Sequence, residues 1–371
     1  MAGFINPPLC DARSLVDHRA VSLDTLRAAF APTPGHLDAA TCGLPTRATV
    51  AAMTAGLARW ADGTIDLAEY DAAVADSRAD FARIVGVTPG DVAVGSQVAP
   101  LVALVAASLP DGAQVLTVEG DFTSVTYPFL AHADRGVTVR AVPLEALADE
   151  VRPGTAAVAF SLVQSGDGRI ADLDAVLAAT RAVGALSIVD LTQSVGWLPV
   201  DAGRIDVTVT GAYKWLSAPR GTAFLTVRPQ LRDRLRPITA SWYAGQDVSA
   251  SLYGHDMRLA DDARRFDVSP AWLCWLGTAP ALAAFADALT GPDPDAVRRH
   301  DVALADGLRA GLGLAPTGSA IVSLPDPDGT VRQRLTAAGL RVAGRAGGVR
   351  LAFHVWADDD SVARALAALR P

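Results

Sequence analysis

The chain has 371 residues, half of them hydrophobic, and a formal net charge of -8, a length that suits roughly two domains of ~100 to 200 residues with a large core. The acidic balance argues against a nucleic-acid or anionic-membrane surface. No uncharged apolar run reaches the ~18 residues of a membrane span, so no membrane association is expected.

The first residues lack a basic segment followed by an apolar one, so a secretory signal is not expected and the cytoplasm is. Cys10, Cys42 and Cys274 are too widely spaced for a zinc site or a disulfide framework and fit a reducing compartment. Residues 1–35 read as an N-terminal arm with a short helix at 22–30, packing with a small C-terminal domain. Residues 36–45 read as a strand leading into a turn. Cys42, within that turn, reads as a packed small residue rather than a nucleophile, because no histidine stands at a recognisable spacing. Residues 46–86 carry two helical patterns joined by Ala61-Asp-Gly-Thr64.

Asp91-Val-Ala-Val-Gly95-Ser96-Gln97 then runs from a short strand through a glycine turn into an apolar helix. Such a junction aims free backbone N–H groups and the positive helix end at the turn, which is how a phosphate is commonly held; Ser96 and Gln97 are the candidate ligands. Strands are expected at 114–118, 137–142, 156–161, 186–190, 207–210 and 222–228, with helices at 124–133 and 171–183 between them. This alternation predicts a mostly parallel sheet covered on both faces, an α/β fold. In such sheets ligands bind beyond the carboxyl ends of the strands, where Gly95, Phe122, Asp190 and Lys214 can converge. The turn Pro292-Asp-Pro-Asp295 divides a large domain, 36–291, from a small one, 292–371, which closes with a helix at 358–369. No G-x-G-x-x-G or Walker motif stands in a strand-to-helix context, and the six histidines show no metal-binding spacing, so no metal site is expected.

The basic residues comprise 31 arginines and a single lysine, Lys214. A guanidinium stays charged, whereas a desolvated lysine can lose its proton and form an imine, so Lys214 reads as a Schiff-base lysine. Twenty-four residues before it, Leu186-Ser-Ile-Val-Asp190 reads as a buried strand ending in a carboxylate. An aspartate beside a pyridine nitrogen and a lysine on the aldehyde are the pair that a pyridoxal phosphate enzyme needs.

Val189-Asp190-x-x-Gln193-Ser194-x-Gly196, followed by Lys214-Trp-Leu-x-x-Pro219-x-Gly221-x-x-Phe224, resembles the aminotransferase class V family. These are fold-type I pyridoxal 5'-phosphate enzymes and include cysteine desulfurases, kynureninases, isopenicillin N epimerase-like proteins and C–S lyases. The resemblance implies that Lys214 and Asp190 are catalytic, that Phe122 stacks on the cofactor ring, and that Gln193 lies along it. It further implies that Tyr213 donates to the phosphate, joining Ser96 and Gln97, and that Trp242 and Ser269 reach a phosphate across the interface of a homodimer. Gly347-Gly-Val-Arg350-Leu-Ala-Phe-His-Val-Trp356 resembles the family segment whose arginine grips the substrate carboxylate, with Ala352 and Trp356 replacing a serine and a tyrosine. Tyr243, Tyr253, Trp272 and Trp275 are candidates for contact with a bulky substrate group or for the core.

The same resemblance is strongest to actinobacterial C–S lyases of ergothioneine and lincosamide biosynthesis. Residues 342–349, before Arg350, hold no cysteine, which argues against cysteine desulfuration. The expected reaction is β-elimination from a cysteine S-conjugate, an amino-acid substrate. Decarboxylation-coupled oxidative deamination, transamination and epimerisation stay open, as does a non-catalytic protein of the same fold, which would not be expected to keep both Asp190 and Lys214.

Overall fold

The computed structural model describes residues 22–370 apart from Pro32 and Pro34. Most of the arm expected at 1–35 therefore lies outside the described residues; its described part holds α1 (Leu23–Ala28). The two helices expected between 46 and 86 are α2 (Arg47–Ala61) and α3 (Leu67–Val85). Thr46 and Asp66 cap their N-termini by accepting the N–H of Thr49 and Ala68, and Gly86 ends α3 in the left-handed conformation.

Strands and helices then alternate: β1 (Val92–Gly95), α4 (Val98–Ser108), β2 (Gln114–Val118), α5 (Thr123–Leu130), β3 (Thr138–Val142), β4 (Thr155–Ser161), α6 (Leu173–Val183), β5 (Leu186–Asp190), β6 (Val207–Gly211) and β7 (Ala223–Val227). They form one seven-stranded sheet in the order β1-β7-β6-β5-β4-β2-β3. β7 is antiparallel to both its neighbours and every other pairing is parallel, giving the mostly parallel α/β sheet that the alternation predicts. β1, β6 and β7 are buried at every residue, because helices cover both faces.

On one face the sheet packs against α3 and α7 (Trp272–Leu289), where Phe81 stacks on Phe224 with centroids 4.2 Å apart and Trp275 meets Phe224 edge-on. The other face carries α4 and α5, through Leu101, Val105 and Phe129 against Ile188, Val209 and Leu225. Among the described residues α7 is long and apolar enough to cross a bilayer by length and composition, but half of it is buried inside the protein. Its apolar character is accounted for by packing on α2 and α3.

The chain continues through α8 (Ala296–Gly311), β8 (Ile321–Pro325), α9 (Thr330–Ala337), β9 (Ala343–Arg345), β10 (Gly348–Ala352) and α10 (Asp359–Leu369). Here β10 lies between β8 and β9 in an antiparallel sheet with its own core of Leu308, Val322, Leu335, Leu351 and Phe353. The turn at Pro292 to Asp295 falls between α7 and α8. Residues 36–38, grouped by sequence with the large sheet, instead pair with this small one: His36 bridges Arg341, Asp38 bridges Ala352, and Leu37 joins its core. The segment thus leads from the small sheet toward the carboxyl ends of the large one.

Candidate active site

A cleft of about 660 Å³, counted with its open mouth, is lined by residues that follow β1, β2, β4, β5 and β6. All five ends lie on one side of the sheet, because these strands run in the same direction. Ser96, Gln97, Phe122, Asp190, Gln193, Tyr213 and Lys214 are brought together there, as the sequence expects.

Lys214 is buried to 6% exposure, and its amine makes no hydrogen bond among the described residues. Burial pulls its pKa down to about 8, reinforced by Arg350 and Arg345 and opposed by Asp190. Asp190 is equally enclosed; burial pushes its carboxyl up to about 6, against the Thr192 N–H that donates to it at 2.8 Å and the charge of Lys214. The lysine ammonium stands 5.4 Å from the Phe122 ring centre and 5.7 Å from that of Tyr213. Burial also raises the Tyr213 hydroxyl above its usual value.

The backbone around Lys214 is clamped by close approach. A Cβ on Gly43 would lie 2.0 Å from the Lys214 carbonyl, and one on Gly196 would lie 2.5 Å from that of Trp215. Only glycine fits either place. Trp215 is buried, and its indole N–H donates to Gln193 Oε1 at 2.8 Å.

Gln193 lines the cleft, yet its amide is committed to the protein. Besides accepting from Trp215, its Nε2 donates to the Ala40 carbonyl and to Ser165 Oγ at 3.0 and 3.1 Å. It therefore ties three cleft segments together. Phe122 is 45% exposed, a large apolar ring standing in the opening. Its loop is fixed by Asp121, which accepts the Phe122 N–H, the Ser161 N–H and the Ser161 hydroxyl at 2.6 to 2.7 Å. Gln97 occupies the N-cap of α4 without a side-chain capping bond, so the helix start is open to the cleft.

Arg350, on β10, is 1% exposed and does not itself line the cleft. Its Nη1 donates to the carbonyl and hydroxyl of Ser165 at 2.5 and 3.2 Å, and its Nη2 to Thr41 Oγ1 at 2.8 Å. Burial brings its pKa down to about 10, and Arg345 adds to that effect. It reaches the cleft through Ser165, a wall residue.

Several expectations change. Cys42 is exposed rather than packed, because it sits on the turn that closes residues 38–42 and its thiol reaches only the neighbouring Gly43 carbonyl. Trp242 and Ser269, expected to serve a phosphate across a dimer interface, stand outside the cleft of their own chain, and that expectation is unaltered. Ser269 is exposed, next to Asp267, which is locked by Arg78 in a buried ion pair at 2.6 Å. None of the four aromatic candidates for substrate contact reaches the cleft. Tyr243 is buried and donates to Asp71, Trp272 stacks on Tyr70, Trp275 is in the core, and Tyr253 is 93% exposed. Conversely, Ser161, Ser165, Thr192 and Arg220 are cleft residues that no sequence motif marked. Position at or just beyond the ends of β4 and β5 was the available signal for the first three, and nearness to Lys214 for Arg220.

Pyridoxal phosphate fits this donor set. The open start of α4 with Ser96 and Gln97 suits a phosphate, the half-exposed Phe122 suits a ring face, and a buried carboxyl and an amine without a hydrogen-bond partner share the same wall.

Comparison with known proteins agrees with this geometry. Over 216 residues the chain is 31% identical to the uncharacterised aminotransferase YcbU of Bacillus subtilis, covering 56% of this chain and 57% of that protein. It is also 31% identical over 228 residues to a probable hercynylcysteine sulfoxide lyase of Mycobacterium tuberculosis, covering 57% and 56%. The matches thus span little more than half the length of these curated relatives. Among solved structures, the cystine C–S lyase C-DES with its product cysteine persulfide superposes with a TM-score of 0.80 at 20% identity, over 90% of this chain and 96% of that one. A variant of C-DES carries glycine covalently linked to its pyridoxal phosphate. Residues 52–326 match the profile "Aminotransferase class-V". With that match spanning both motifs and all the strand ends that build the cleft, the chain belongs to the aminotransferase class V family.

Proposed function

We propose that this protein is a pyridoxal-phosphate-dependent C–S lyase. It breaks the Cβ–S bond of a cysteine S-conjugate and releases a thiol or sulfenate, pyruvate and ammonia. The observation that carries the reading is Lys214, a buried amine whose pKa falls to about 8, sharing a cleft with Asp190. The absence of cysteine from residues 342–349 favours elimination over desulfuration, and the names of the M. tuberculosis relative and of C-DES support a sulfur-conjugate substrate.

When bound, pyridoxal phosphate supplies an aldehyde that condenses with an amino group and a pyridine ring that draws electrons from the α carbon. Asp190, its carboxylate oriented by the Thr192 N–H, would hold a proton on the ring nitrogen. The Lys214 amine removes the α proton as general base. The pair freed from the Cα–H bond forms the Cα=Cβ bond as the Cβ–S pair leaves with sulfur, which takes the proton from Lys214; water then hydrolyses the released 2-aminoacrylate to pyruvate and ammonia. Ser96, Gln97 and the first amides of α4, with the Tyr213 hydroxyl, would hold the phosphate, and Phe122 would stack on the ring. Arg350 and Ser165 receive the substrate carboxylate. We assign Trp242 and Ser269, which stand away from their own cleft, to the cleft of a second subunit in a homodimer, and we place the protein in the cytoplasm.

The test is the visible absorption of the purified protein, then a scan of S-substituted cysteines with pyruvate and carbon dioxide assayed separately. Pyruvate without carbon dioxide is expected. Carbon dioxide with an aldehyde product would move the reaction to decarboxylation, and a protein that neither carries nor takes up the cofactor would overturn the reading.

A further inference from the structure

The β9–β10 hairpin carries a second guanidinium toward the carboxylate seat. β9 ends at Arg345, and the chain reverses through Ala346 and Gly347, whose φ values are 48° and 75°. Two successive positive values are what a tight two-residue hairpin turn demands, and Ala346 adopts one without being glycine. The tip packs beside Gly166, next to Ser165: a Cβ built on Gly166 would meet the Ala346 Cβ at 3.9 Å.

Arg345 Nη2 donates to Thr41 Oγ1 at 3.3 Å, the same oxygen that accepts Arg350 Nη2 at 2.8 Å. Two cations thus converge on one neutral hydroxyl. The carboxylate nearest Arg350 is Asp38 at 3.9 Å, beyond hydrogen-bond reach, and Asp38 Oδ1 has no partner. Arg350 Nε is likewise buried without a partner. The other side-chain bond of Arg345 goes to the adjacent Gly344 carbonyl, and it makes no ion pair among the described residues. The charge of Arg345 lowers the pKa of both Arg350 and Lys214, which places it within electrostatic reach of the cleft. Like charges meeting at a hydroxyl repel; a carboxylate between them converts that repulsion into charge-assisted hydrogen bonds.

We propose that Arg345 is a second substrate-binding residue, which exchanges Thr41 for the carboxylate of the amino-acid substrate and shares it with Arg350. This rests on reading the cleft as an amino-acid site and is independent of which bond is broken afterwards. A carboxylate held by two guanidinium groups is stabilised in its charged form, which disfavours its departure as carbon dioxide.

The test compares wild type with Arg345→Gln, both loaded with cofactor, using S-methyl-L-cysteine and its methyl ester as probes and the cofactor's absorbance change as the binding signal. The expected result is a Kd for the acid raised about tenfold or more, with ester binding within about twofold of wild type. Arg345→Lys, which keeps the charge but not the fork, recovers part of the loss. Unchanged acid binding, or equal weakening of acid and ester, overturns the proposal; so does a wild type that binds neither probe. A wild type that binds the acid, while no S-substituted cysteine in the scan releases pyruvate, would instead sink the lyase reading and leave the Arg345 result standing.

Discussion

His354 Nδ1 lies 2.9 Å from Asp301 Oδ2, with both side chains wholly buried, and its Nε2 lies 2.9 Å from the Trp215 carbonyl. Both ring nitrogens face oxygen atoms, so the imidazole is held from two sides. The other Asp301 oxygen meets His300 Nδ1 at 2.8 Å. The relay bolts α8 and the segment after β10 to the residue that follows Lys214. Removing His354 leaves Asp301 with His300 alone, and neutralising Asp301 leaves His354 with the Trp215 carbonyl and a weaker acceptor, so each change costs about 1 to 3 kcal/mol. Asp301→Asn and His354→Phe are each expected to lower the urea midpoint accordingly; midpoints equal to wild type would show that the relay adds no stability.

Because Lys214 is the single lysine, chemistry directed at a lysine-bound cofactor has one side-chain target. Borohydride reduction of the cofactor-loaded protein is expected to add one cofactor mass per chain, located on the Lys214 peptide, and Lys214→Ala to add none. An adduct that persists in the variant would remove Lys214 from its assigned role. Activity in that variant is expected to fall by more than about a thousandfold, the scale on which a proton-transfer group acts together with a covalent anchor.

Asp190 makes the cofactor-free fold pH-dependent. Its folded pKa of about 6 lies above the ~3.9 of an unfolded chain, so ionising it costs the fold stability. That cost is absent below about pH 3.9, grows as the pH rises to about 6, and is complete above it. Lys214 is protonated throughout this window, its folded pKa being about 8. The stability of wild type minus that of Asp190→Asn is therefore expected to fall by roughly 2 to 3 kcal/mol between about pH 4 and 6.5. A difference that stays constant across this range would contradict the assigned burial.

Gln193→Leu keeps the volume but removes three hydrogen bonds. It leaves the Trp215 indole N–H and the Ala40 carbonyl without their partner in a buried region. At about 1 to 3 kcal/mol for each stranded group, a loss of about 2 kcal/mol or more is expected, read from thermal unfolding of the cofactor-free protein. Gln193→Met, which also removes all three bonds, is expected to lose a similar amount, whereas Ser165→Ala, which removes only one of the three, that from Gln193 Nε2 to Ser165 Oγ, is expected to lose less. A Ser165→Ala loss as large as that of Gln193→Leu would show that the indole and Ala40 bonds are not the important ones.

The parallel sheet and the meeting of Asp190 with Lys214 were legible in the sequence because both follow from local pattern. Apolar runs ending at Asp190 and Gly211 mark strand ends, and strand ends on one side of a parallel sheet converge. The reversed direction of β7 was not legible, since a five-residue apolar run reads alike in either direction. Nor was the engagement of Gln193, whose partners Ala40, Ser165 and Trp215 come from three separate segments. Arg350 was marked by the segment around it, but Arg345, five residues earlier, was one of 31 arginines; only the hairpin shows that both reach Thr41.

The bond from Arg350 to Thr41 joins residues 309 apart in the chain, and the one from Asp267 to the Val94 N–H joins residues 173 apart. Contacts of such separation form late and slowly, since the intervening chain must first be ordered. During synthesis, a growing polypeptide that has already emerged past Lys214 holds the reactive amine and Asp190 but still lacks the arginine hairpin. Thr41 gains its two guanidinium partners only once residues 343–352 have folded against it, so this contact follows the formation of the β9–β10 hairpin.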